Sequence, residues 1–60
     1  MVLYELLHKS ILIEFADGKE MRGYVDAYIS AEDNDPDPEC IIVISDGVAY
    51  EVTAAEIKQL

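Results

Sequence analysis

Scarcity is informative in this chain. It has one cysteine, one histidine, no tryptophan, and four lysines and arginines among 60 residues. Cys40, being alone, can form neither an internal disulfide nor a multi-cysteine zinc site. His8 has no nucleophile and carboxylate at a recognisable spacing, so no catalytic set is visible and no enzyme is expected. No motif asks for a cofactor. Lys9, Lys19, Arg22 and Lys58 stand against 13 acids, for a net charge of −9. Affinity for a phosphate backbone comes mostly from Lys and Arg, so this balance disfavours nucleic acid and favours solubility or a basic protein as partner. Long apolar runs are missing too. MVLYELLHKS is too short and too interrupted to span a membrane. It also lacks the basic start and small-residue cleavage site of a signal peptide. A cytoplasmic protein with no membrane partner is the expectation, and a single free thiol fits it.

What is present is 52% apolar residues and two Asp-Gly pairs. Residues 1–60 make one domain at this length. Size scaling leaves so small a core a thin energetic margin, and with no covalent staple self-association is the expected extra stabiliser. Asp17-Gly18 separates ILIEFA from KEMRGYVDAYIS. Asp46-Gly47 separates CIIVIS from VAYEVT. Asp-Gly between strand-like segments is a strong hairpin signal, because tight turns that match strand twist need positive φ.

The spacing of Leu3, Leu6 and Leu7 predicts a helix over residues 2–8, packed as a cap on something larger. Alternation predicts strands over 11–16 and 19–30. The second has Met21, Gly23, Val25, Ala27 and Ile29 inward and Glu20, Arg22, Tyr24, Asp26, Tyr28 and Ser30 outward. A strand this long must bend, and Gly23 is placed for the bend. Residues 40–45 read as a strand buried on both faces. Strands over 48–53 and 56–60 follow, with Ala54-Ala55 as a brief break. The expected fold is mostly β: a short N-terminal helix, then a five-stranded, strongly bent antiparallel sheet forming a small barrel.

Between the hairpins lies AEDNDPDPE. Asp33, Asp35 and Asp37 offer hard oxygen ligands at alternate positions, as the start of an EF-hand loop does. Pro38 and Ile44 stand where that loop needs Gly and a bidentate Glu, so a solvated acidic turn is the favoured reading and no metal is assigned. Prolines and acids beside CIIVIS also discourage pairing with foreign strands. Tyr24 and Tyr28, four apart on one strand face, are placed for packing or for stacking on bases. His8 is expected at the helix C-terminus, where a cation is favoured.

Helix, five strands, Asp-Gly after strand one and Gly in strand two: this layout resembles the Sm-like (LSm) family. SILIEFADGKEMRGYVDAYIS is similar to its first motif, with Gly23 as the family glycine, Val25 as the following aliphatic and Tyr28 as the aromatic. SAEDNDPDPECIIVI and YEVTAAEIKQL are further similar to small uncharacterised bacterial members. The resemblance implies an Sm-like or SH3-like small barrel and a homo-oligomeric ring of roughly five to seven subunits. In such rings strand four pairs with the next subunit's strand five, which implies an interface at Val48, Tyr50, Val52, Ile57 and Leu60. Ring closure removes exposed edges, and aromatics such as Tyr50 are common at interfaces. The family's single-stranded RNA binding implies a site at Tyr28, Asn34 and Thr53. The family pattern has an aspartate where Ile29 stands and Arg-Gly where Thr53-Ala54 stands. Asn34 aligns with the family asparagine only through a one-residue insertion. A non-enzymatic assembly module with an acidic surface is therefore expected ahead of an RNA binder.

Overall fold

The first Asp-Gly pair builds its hairpin by two separate devices. In the computed structural model, which describes residues 2–59, Gly18 takes φ of +92°. Asp17 acts through its side chain, its Oδ1 accepting from the Lys19 N–H at 3.0 Å. The Phe15 N–H donates to the Lys19 carbonyl at 2.7 Å and closes the loop. The strands it joins are β1, Ser10–Phe15, and β2, Glu20–Ile29. They pair antiparallel, with Ile13 opposite Met21 and Glu14 opposite Glu20. At the second pair, Asp46 and Gly47 have φ of 51° and 77°. Two successive positive φ values make the tightest hairpin connection. It joins β3, Cys40–Ser45, to β4, Val48–Thr53, with Ser45 opposite Val48. A three-residue 3-10 helix, Ala54–Glu56, leads into β5, Ile57–Gln59, which pairs with β1. The Glu56 carboxylate accepts from the Thr53 N–H at 3.0 Å and the Thr53 hydroxyl at 2.9 Å. This caps the turn by the reciprocal Thr-x-x-Glu arrangement.

The five strands form one antiparallel sheet in the order β4-β3-β2-β1-β5. The protein is thus mostly β, but the sheet does not close: β4 and β5 are both edges. Leu3, Ile13, Val25, Ile41, Val43, Val52 and Ile57 form the core. Three sequence expectations are corrected. The first is the N-terminal helix, which is a four-residue 3-10 turn, Leu3–Leu6. The His8 N–H donates to the Val25 carbonyl at 2.8 Å, and the Val25 N–H to the Lys9 carbonyl at 2.9 Å. The backbone from His8 onward is thereby committed to the sheet. A helix of so few residues has no cooperative gain to oppose that. Leu3 is still fully buried, with Leu6 and Leu7 packed beside the core.

The second is the face assignment of β2. Val25 lies opposite Val43, but Ala27, not Asp26, lies opposite Ile42. Asp26 is the extra residue of a β-bulge, which reverses the alternation beyond it. Tyr28 therefore lies opposite buried Ile41 and packs against the core. Tyr24 remains outside and exposed. Gly23 has its own reason to be glycine: a Cβ there would lie 2.6 Å from Val43 Cγ1 and 2.7 Å from the Ile44 carbonyl oxygen. The third is β3, whose two faces are buried unequally, Ile41 and Val43 lying on the core side and Cys40, Ile42 and Ile44 on the other. Ile41 and Val43 are fully enclosed, whereas on the opposite face only Cys40 is enclosed and Ile42 and Ile44 are half-buried.

Candidate functional site

Cys40 organises one end of the sheet. It lies opposite Ile29 on β2 and opposite Thr53 on β4. The Asn34 amide donates to its Sγ at 3.8 Å and to the Pro38 carbonyl at 2.8 Å. Next to it, the Tyr28 hydroxyl donates to the Glu39 carboxylate at 3.2 Å, and its ring lies 5.4 Å from that of Tyr4. Tyr28, Asn34 and Thr53, far apart in sequence, are thus gathered at one end. Each already has an internal partner: Glu39, Pro38 with Cys40, and Glu56.

The electrostatics of this end are acidic. Burial first, then the hydrogen bond to Glu39 and its negative charge, hold the Tyr28 hydroxyl above its ordinary value. Burial, then the charges of Glu51 and Asp37, push the Cys40 thiol up as well. A thiol held protonated and fully enclosed is a poor nucleophile.

The acidic loop closes by its own hydrogen bonds. The Asn34 N–H donates to the Ser30 carbonyl at 3.0 Å and the Asp37 N–H to the Asn34 carbonyl at 2.7 Å. The Asp33 N–H donates to the Ser30 hydroxyl at 3.3 Å. Asp33, Asp35 and Asp37 do not converge: among the described residues no three His, Cys, Asp or Glu side chains are grouped to hold a metal ion. His8 stands in left-handed backbone with φ of 64°, past the 3-10 turn and not at a helix end. Its ring stacks on Tyr24, the planes 9° apart and the centroids 6.4 Å apart.

The second candidate region is the pair of open edges. Val48, Tyr50 and Val52 share one face of β4, opposite Ser45, Val43 and Ile41. Val52 is 2% exposed and belongs to the chain's own core, whereas Val48 and Tyr50 are 50% and 44% exposed. Ile57 on β5 is likewise a core residue. The side chains of Val52 and Ile57 are therefore spent within the chain's own core, and among the described residues of the expected interface set Val48 and Tyr50 are the exposed ones. Leu60 lies outside the described residues. Charged neighbours flank both edges. Lys58 on β5 pairs with Glu14 at 3.4 Å, and Glu14 faces Glu20 directly across the β1–β2 ladder.

The groups that fix Tyr28 and Thr53 are Glu39 and Glu56, neither of them expected from sequence in that role. Glu56 had a signal, since Thr53-x-x-Glu56 is a capping-box spacing. Glu39 had none. No described helix is long and apolar enough to cross a membrane. Comparison of the chain with family models, curated proteins and solved structures gives no match.

Proposed function

We propose that this chain is a non-enzymatic, Sm-like homo-oligomeric module. Its bent sheet is the wall of a small barrel, and its copies join edge to edge into a ring with an acidic surface open to a basic partner. One observation carries this reading: the sheet has two unpaired edges, and β4 continues its core-facing row outward as exposed Val48 and Tyr50. Exposed edges with apolar side chains are otherwise a liability, and pairing removes it. Association would also add the burial that so small a domain lacks. Sedimentation equilibrium should give a mass well above one subunit. Tyr50→Asp should shift it to the monomer with an unchanged circular dichroism spectrum. A wild-type monomer at every concentration and every ionic strength would overturn the proposal.

A second reading, Sm-type binding of single-stranded RNA, has in its favour the gathering of Tyr28, Asn34 and Thr53 around Cys40. It predicts retention of a short uridine- or adenine-rich RNA at low salt. No retention at tens of millimolar salt removes it.

A further inference from the structure

We infer that association along the two edges is gated by cation screening, with low ionic strength holding the chain as a monomer and added salt releasing it to assemble. The inference rests on the edge-to-edge reading above and concerns its regulation. It starts from the charges that edge pairing would bring together. The β4 side, from the turn at Asp46 through Thr53, carries Asp46 and Glu51 and no Lys or Arg. The β5 side carries Glu56 on its lead-in turn, with Glu14 and Glu20 beside Gln59. Among the described residues its cations are Lys58, already paired with Glu14, and Lys19, which sits next to Glu20 on the β1–β2 turn. Acids still outnumber cations on the β5 side and stand alone on the β4 side, so docking one edge on the other sets net like charge against like.

The remaining charge adds to this at long range. Each copy carries −9 in a body of only 27 × 22 × 19 Å. At ~20 mM salt the screening length is about 20 Å, comparable to the whole subunit, so a neighbour feels nearly all of that charge. At ~0.3 M salt it falls to about 6 Å, and only the charges at the edges themselves still act. The apolar contact of Val48 and Tyr50 and the backbone pairing are insensitive to this change. Salt thus removes the opposing term and leaves the favourable one.

Sedimentation velocity of the full chain at the two ionic strengths tests this. Association should tighten by at least ~tenfold from low to high salt, the direction opposite to that of an oppositely charged interface. A Glu20→Lys/Glu51→Lys variant alters two exposed positions, and it should assemble at low salt with its circular dichroism spectrum unchanged. NaCl and MgCl2 at matched ionic strength should act alike. Equal assembly at both salt levels, or failure of the double variant to assemble at low salt, overturns the gating and leaves the assembly reading standing. Assembly by MgCl2 but not by NaCl replaces screening with a specific ion site. A monomer under every condition overturns the assembly reading itself.

Discussion

The two halves of β2 bend by opposite means. Before Asp26 the strand is shaped by a missing atom: Gly23 has no Cβ, and the β3 backbone closes to where one would sit. After Asp26 it is shaped by an extra residue, the bulge that moves Tyr28 to the core side. The first half leaves no space for side-chain chemistry at its tightest point. The second delivers a tyrosine to the end of the sheet where the acidic loop returns and Thr53 arrives. Curvature alone can thus be obtained by deletion, but redirecting a side chain requires an insertion.

The deletion is the more fragile device. Gly23→Ala would place a methyl 2.7 Å from the Ile44 carbonyl oxygen, a backbone atom held in the sheet that cannot swing away as a side-chain end can. The expected cost is about 3 kcal/mol, at the upper end for overpacking. That is most of the stability available to a domain of this size. The urea midpoint should fall steeply, with many molecules unfolded in plain buffer. A loss under ~1 kcal/mol would show that the Gly23 approach relaxes freely, and the contrast between the halves would weaken.

What was legible in the sequence follows the same division. Gly23 announced itself, because a glycine inside a strand is unusual without a steric reason. The ends of β3 and β4 were legible because an apolar run abuts an Asp-Gly turn whose geometry fixes Ser45 opposite Val48. Asp26 gave no sign. It is polar where alternation expects a polar residue, and Val25, Ala27 and Ile29 keep the alternation intact on paper. The extra residue exists only in relation to β3, so no reading of β2 by itself could place Tyr28 correctly. Val52 and Ile57, expected at an interface, have their side chains in the chain's own core, and the reason this was not legible is related. Alternating apolar residues on an edge strand look the same whether they fill their own core or a neighbour's. Leu3, Leu6 and Leu7 marked a buried turn correctly but could not reveal its type, which the hydrogen bond from His8 to Val25 decides.

The loop that meets the second half of β2 offers a milder test. Asn34→Ala removes the bond to Pro38 and the contact to Cys40 Sγ. Two bonds at a partly exposed site should cost about 1 kcal/mol. The sharper readout is local. Cys40 is fully enclosed, so a thiol reagent reaches it only when the loop opens. Labelling should be slow in the wild type and several-fold faster in Asn34→Ala under conditions where both remain folded, as expected for a local opening. An unchanged labelling rate would mean that Asn34 does not hold the loop.

The smallest expected effect separates the second half of β2 from the first by pH. Tyr28 and Cys40 both have values raised by burial, the tyrosine additionally by Glu39 and the thiol by Glu51 and Asp37. In each case the folded state holds its proton more tightly than the unfolded chain does. Above the ordinary values of 10.0 for the hydroxyl and 9.0 for the thiol, the unfolded state therefore binds fewer protons than the native one. Stability must then decline with rising pH, because its slope follows the protons bound unfolded minus those bound native. The contribution of both groups is fully present at neutral pH, begins to fade above about pH 9 as the thiol titrates, and fades further above about pH 10 with the hydroxyl. Tyr28→Phe should remove the later part of the decline and the latest step in the ultraviolet titration of the four tyrosines. Gly23 lies beyond this pair's reach, so a Gly23 variant that still folds should keep the same alkaline profile at lower overall stability. An unaltered tyrosine titration in Tyr28→Phe, apart from the lost amplitude, would show that the Glu39 contact does not bind the proton and that the bulge merely repositions a ring.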